Sequence, residues 1–169
     1  NIVMFAENIC DIFYIMNSTL LEITEDSFLG GKLNIFQPKN GFRAGLDSVL
    51  LAASINAKSG DKVFEIGAGV GTVLFCLMNR ISGLDATAIE IMEEYHSLSI
   101  INAKNNKFDA NLILGDICTY EKLKKESFDQ IFFNPPYYPV NNYKISGNKL
   151  TEAAHIEYPG VLQKMISFA

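Results

Sequence analysis

A chain of 169 residues with 49% hydrophobic and 20% charged residues has room for about one globular domain with a sizeable core, and it is not a disordered tail. A net charge of -5 argues against a uniformly basic nucleic-acid clamp but leaves a locally basic patch open. The scattered Cys10, Cys76 and Cys118 show no CxxC spacing and His96 and His155 build no metal cluster, so a metal is not expected and a reducing, cytoplasmic setting is.

Ile2 to Met16 is apolar-rich but interrupted by Glu7, Asn8 and Asp11. It has no basic leader and no run of about 18 apolar residues, so neither a signal peptide nor a membrane span is expected. Residues 1–16 read as an appended helical segment, with Met16 as a natural start and one domain over 17–169. Leu20 to Gln37, broken by Gly30-Gly31, predicts a small hairpin, and Pro38 to Gly41 a second turn. Asp47 or Ser48 is the expected cap of a helix through Val49, Leu50, Ala52, Ala53 and Ile55.

Past Ser59-Gly60-Asp61 the pattern alternates. Lys62 to Ile66 is a short apolar strand, and Val70, Val73, Leu74, Leu77, Met78 and Ile81 follow at helical spacing. Ala86 to Ile91 is the next strand, and a helix opening on Glu93 and Glu94 suits the helix dipole. Leu112 to Leu114 and Phe128 to Phe133 are two further strands. Alternation of this kind predicts an α/β fold: a Rossmann-like open parallel sheet with helices on both faces. A last helix from Pro159 is expected to turn Val161, Leu162, Met165 and Ile166 inward. Four strands would leave the apolar Phe128–Phe133 at or near an edge, which implies a fragment or self-association through that edge.

The turn Glu65-Ile66-Gly67-Ala68-Gly69-Val70-Gly71-Thr72 lies at a strand-to-helix switch, where glycines let a ligand approach the backbone. A dinucleotide site wants G-x-G-x-x-G; here Thr72 holds the third glycine's position and Gly71 comes one residue early. Glu65 would repel a pyrophosphate and attract the ammonium or sulfonium of S-adenosylmethionine. A nicotinamide-dependent oxidoreductase is therefore a distant alternative. Glu90 can take both ribose hydroxyls, although alone it reads equally as an exposed strand-end acid. Asp116 can accept from the adenine amino group while Ile117 packs on the ring. Arg43 can pair with the cofactor's carboxylate, or simply belong to a surface turn.

Asn134-Pro135-Pro136-Tyr137 closes the fourth strand. The Asn134 side-chain oxygen and the Pro135 carbonyl can each accept one N–H of an amino group, turning its lone pair toward a methyl donor. Tyr137 offers a flat face for a planar substrate, and Pro136 cannot donate a competing N–H. The gain is orientation, with no strong base required. From Val140 to Glu157 a long loop with Tyr143, Lys144 and Lys149 mixes basic and aromatic side chains, as suits a flipped base, or is an ordinary solvated loop.

From about Thr19 onward these motifs resemble the class I, Rossmann-like S-adenosylmethionine-dependent methyltransferases with an Asn-Pro-Pro-Tyr motif. That resemblance implies a cofactor site of Glu65, Gly67, Gly69, Gly71, Glu90 and Asp116, with Asn134, Pro135, Pro136 and Tyr137 on the target nitrogen. Ala68, Ile91, Ile117 and Arg43 complete the expected cofactor site, and Asn134, Pro135 and Tyr137 are the expected catalytic residues. Gln37 to Ala53, which includes Gly41-Phe42-Arg43-Ala44-Gly45-Leu46-Asp47-Ser48, is similar to the lead-in of bacterial tRNA1(Val) adenine-37 N6-methyltransferases. The expected activity is N-methylation of adenine in tRNA. Protein glutamine N5-methylation and a catalytically idle cofactor-binding or interaction module are the alternatives; the glutamine branch's Arg-Pro-Glu-Thr-Glu is not found.

Overall fold

The computed structural model describes residues 14–16, 19–120, 128–135, 138–139, 156–157 and 160–168. Tyr14–Met16 (β1) pairs antiparallel with Thr19–Leu21 (β2). The end of the segment expected to be helical is thus strand, in keeping with its aromatic and β-branched Tyr14 and Ile15; residues 1–13 lie outside the described residues. Ile23–Phe28 (β3) and Leu33–Pro38 (β4) form the expected hairpin, Phe28 opposite Leu33. Its turn takes positive φ at Leu29 (53°), Gly30 (67°) and Gly31 (88°); the two glycines adopt it at little cost, whereas Leu29 carries the strain of a β-carbon in the left-handed region.

The first helix, Leu46–Ser54 (α1), begins at N-cap Gly45. Neither Asp47 nor Ser48 caps it as expected: Asp47 lies in its first turn and Ser48 is buried. At its far end Arg80 donates to the carbonyls of Ala52 and Ile55, satisfying groups that a helix C-terminus leaves open.

Lys62–Ile66 (β5), Asp85–Glu90 (β6), Asn111–Leu114 (β7) and Gln130–Phe133 (β8) form a parallel sheet in the order β7-β6-β5-β8. The chain steps outward from β5 to β7 and returns on the other side at β8. The crevice between the C-terminal ends of β5 and β8 is therefore a topological switch point. Thr72–Arg80 (α2) follows β5 and Glu93–Asn105 (α3) follows β6. The expected span from Val70 to Ile81 is trimmed at both ends: Val70 stays in the glycine turn, and Ile81 is an extended C-cap.

The period-two alternation of the strands divides the core. Val63, Ala86, Ala88, Leu112 and Phe132 face a layer holding α1, α2, α3 and β4. Phe64, Ile66, Ile89, Ile113, Ile131 and Phe133 face the opposite layer. There Val161–Phe168 (α4) covers the sheet with Val161, Met165 and Phe168. Phe64 stacks on Phe128 at 4.8 Å between ring centroids and meets Phe168 at 5.6 Å. Ile166 does not turn inward as expected; it is 52% exposed, one residue off the face that Met165 leads. Pro159 lies outside the described residues. Tyr138–Pro139 (β9) pairs in parallel with Ile156–Glu157 (β10), so the expected long loop ends in a strand, and residues 140–155 lie outside the described residues.

The hairpin is fastened to the sheet domain by two asparagines one turn apart, Asn102 on α3 and Asn106 at its C-cap. Asn102, fully buried, accepts from the Phe36 N–H at 2.7 Å and donates to the carbonyls of Phe36 and Val70, both at 3.0 Å. Asn106 does the same for Asn34, accepting from its N–H at 3.0 Å and donating to its carbonyl at 2.7 Å. Asn34 and Phe36 are alternate residues, so the two amides pair with the β4 edge that faces away from β3.

Candidate functional site

The glycine turn is held by the protein's own acceptors. Gly67 and Ala68 donate their N–H groups to the Ile89 carbonyl at 2.9 and 3.1 Å, and Gly71 donates to the Ala68 carbonyl at 2.9 Å. The Gly69 N–H goes to Glu90 Oε2 at 2.7 Å, while Glu90 Oε1 accepts from Met92 N–H at 2.8 Å. At the head of α2, Glu65 Oε2 accepts the Leu74 N–H at 3.1 Å. Amides that would face a pyrophosphate in a dinucleotide site are thus already satisfied, those of Gly69 and Leu74 by carboxylates that would repel one when ionised.

A β-carbon built at Gly69 meets no atom within 4 Å, so open space lies over the turn, as a bound ligand requires. At Gly71 a β-carbon would fall 2.3 Å from the ring of Phe75, itself fully buried and stacked on Phe108. Gly71 is therefore required by packing, whereas Gly69 borders room for a ligand. One residue on, the buried Thr72 Oγ1 has no hydrogen-bond partner, and an orphaned buried hydroxyl at a ligand turn calls for one. Open space, an orphaned hydroxyl and two carboxylates fit a cationic nucleoside cofactor such as S-adenosylmethionine.

The remaining rim follows from register. Ile66 is paired with both Ile89 and Phe133, and Glu90 with Leu114. The chain therefore leaves the sheet side by side at Gly67, Ile91, Gly115 and Asn134. Ile91 is 62% exposed, an apolar side chain open at the mouth, and Ile117 packs toward the α4 layer. Asp116 Oδ1 accepts the Cys118 N–H at 2.8 Å, which fixes the turn after β7. Asn134 Nδ2 donates to Asp47 Oδ2 at 3.1 Å, joining the end of β8 to the start of α1. Pro135 is half-buried; Pro136 and Tyr137 lie outside the described residues.

Arg43 stands apart from this rim. Its guanidinium forms an ion pair with Asp26 and donates to Thr24 Oγ1 at 2.7 Å and to the Pro38 carbonyl at 2.8 Å. The geometry gives it a hairpin-fastening job, and the role expected for it on the cofactor carboxylate would compete with those bonds. The lead-in is further secured where Tyr95 Oη accepts the Phe42 N–H at 2.9 Å and Gln37 Oε1 accepts the Ala44 N–H at 2.8 Å. Sequence reasoning missed Thr72, Tyr95, Asn102 and the Asp47 contact. The one available signal was the i, i+4 asparagine pair, a residue type that disfavours helix interiors.

Both site carboxylates are raised above the ordinary range. Burial raises Glu65 well above it, opposed by the Leu74 N–H and reinforced by Glu90. Burial also raises Glu90, opposed by the amides of Met92, Gly69 and Ile91. For Glu65 the folded state holds its proton more tightly than the unfolded chain, so stability falls as pH rises from the unfolded value through the folded one. Glu65→Gln removes that titration. Thermal melts across the pH range should show a flatter decline above the ordinary carboxylate range than the parent protein; an identical slope would place the titration elsewhere.

Comparison with known proteins agrees with this geometry. Residues 42–160 match the family model described as the Methyltransferase small domain. The chain is 27% identical over 121 residues to the tRNA1(Val) (adenine(37)-N6)-methyltransferase of Flavobacterium psychrophilum, covering 70% of this chain and 51% of that protein. It is 27% identical over 133 residues to the enzyme of the same name from Pedobacter heparinus, covering 79% and 56%. The chain thus spans about half the length of the curated relatives it matches. A T. thermophilus 16S rRNA N2 methyltransferase, solved with AdoMet and guanosine, superposes with a TM-score of 0.55 at 18% identity, covering 82% of this chain and 40% of that one. That likeness concerns the fold. With more than half of its length inside the family model and the β7-β6-β5-β8 order behind the glycine turn, the chain belongs to the Methyltransferase small domain family.

Proposed function

We propose that this chain is an S-adenosylmethionine-dependent N-methyltransferase acting on the exocyclic amino group of adenine in tRNA. The observation that carries the reading is the β5–β8 crevice: a glycine turn whose amides are held by the Glu90 carboxylate and by two backbone carbonyls, beside a strand that is followed by Asn134. The names of the curated relatives and the lead-in from Gln37 to Ala53 support adenine in tRNA as the substrate. When bound, the cofactor supplies a methyl carbon made electrophilic by its sulfonium. In their ionised forms Glu65 and Glu90 set a negative potential that favours that cation, and a bound cation in turn favours their ionisation. Glu90 also receives the ribose hydroxyls, and Asp116 the adenine amino group between Ile91 and Ile117. Asn134 Oδ1 and the Pro135 carbonyl accept the two N–H bonds of the target amine, and Tyr137 supports the base. Orientation of the lone pair accounts for the rate, and the proton leaves after transfer.

Glu90→Ala removes up to two charge-assisted hydrogen bonds to the ribose, each worth roughly 1.5–3 kcal/mol, and frees the Gly69 and Met92 amides. Calorimetric titration should show cofactor affinity at least about tenfold weaker; unchanged affinity would remove Glu90 from the site. The substrate is tested with methyl-labelled cofactor on bulk tRNA beside bulk protein. Label entering tRNA as N6-methyladenosine supports the reading. Label entering only protein would move the same chemistry to a glutamine amide.

A further inference from the structure

We infer that Asp47 is a positioning residue that fixes the orientation of the Asn134 carboxamide, an inference that rests on the methyl-transfer reading of Asn134. The two ends of an asparagine amide are nearly identical in shape but opposite in hydrogen-bonding character. Which end faces a substrate is decided by a partner that accepts only one of them. Asp47, when ionised, accepts only. Its Oδ2 takes the Asn134 Nδ2–H at 3.1 Å, so the donor end is held toward α1 and the acceptor end, Oδ1, is turned the opposite way. An acceptor is the group that an amino N–H needs, and the flipped amide would present a second donor to it.

Asp47 is itself held. Its Oδ1 accepts the Gly45 N–H at 3.1 Å, and it sits in the first turn of α1, where the helix dipole favours a negative charge. The segment before it is tied down by the Tyr95 and Gln37 contacts to Phe42 and Ala44. A continuous path therefore runs from α3 and the hairpin through the lead-in to the end of β8. This gives the lead-in a catalytic purpose that Arg43 does not supply.

Removing Asp47 takes away the acceptor that holds the Asn134 Nδ2–H, so nothing in the lead-in then disfavours the flipped amide. Asp47→Ala should thus lower the single-turnover rate of methyl transfer to tRNA severalfold. Cofactor affinity and melting temperature should stay near those of the parent. In an Asn134→Ala background the same change should cost nothing further, because no amide remains to orient. An equal loss in both backgrounds would make Asp47 an independent catalytic group, and an unchanged rate would make the contact idle; either overturns the inference. If Asn134→Ala itself leaves transfer intact, the reading of Asn134 fails first. The side-chain amide resonances of Asn134 in 15N-labelled protein give a readout that needs no turnover. Asp47→Ala should shift them and hasten their hydrogen exchange, and no change would also overturn the inference.

Discussion

Replacing Asn134 with alanine is expected to lower methyl transfer by about a hundredfold or more while cofactor affinity stays within about twofold. The asparagine stands at the end of β8, next to the glycine turn across the Ile66–Phe133 pairing, and it is only half-buried. Removing its carboxamide leaves the sheet, the turn and the Glu90 contacts untouched. What disappears is one of the two acceptors that aim the target nitrogen. A misplacement of about 1 Å at a reacting centre costs on the order of a hundredfold. Single-turnover assays beside calorimetric titration separate the two effects. A parallel loss of binding and turnover would indicate a folding defect, and undiminished turnover would take the methyl-transfer role away from this motif.

The largest expected effect on stability is at Asn102. Leucine in its place fills a similar volume but leaves the Phe36 N–H, the Phe36 carbonyl and the Val70 carbonyl without their side-chain partner in a fully buried setting. Each buried group left unsatisfied costs roughly 1–3 kcal/mol, so a loss of about 3–5 kcal/mol is expected even with partial relaxation. That is a large share of the 5–15 kcal/mol, or thereabouts, that holds a typical domain folded. Urea unfolding measures the loss, and hydrogen exchange at Phe36 locates it. A change below about 1 kcal/mol would mean that the β4 edge finds other partners.

The strands and the helices that connect them were legible because their apolar residues keep period: Val63, Phe64 and Ile66 alternate faces, and Leu74 and Leu77 recur along α2. Boundaries failed where a glycine or a tertiary contact decides them. Gly71 delays the start of α2 past Val70, and Gly45 displaces Asp47 from the cap of α1. The rim was legible in outline, since Glu65, Glu90, Asp116 and Asn134 are acids or amides at or just past strand ends. Their partners were not. Glu90 holding Gly69, Asn134 meeting Asp47 and Arg43 bound to Asp26 are contacts between segments 17 to 87 residues apart. A local pattern carries no record of such distances, and a charged residue near a ligand motif reads the same whether it faces the ligand or a neighbouring hairpin.

The most direct test of the account is a crystal structure of the chain with S-adenosylhomocysteine. The ligand should lie over Gly67 to Gly71 in the space beside Gly69, with its ribose hydroxyls on Glu90, its adenine near Asp116 and its sulfur facing Asn134. A ligand bound away from the glycine turn, or one whose sulfur points away from Asn134 with Glu90 uncontacted, would contradict it.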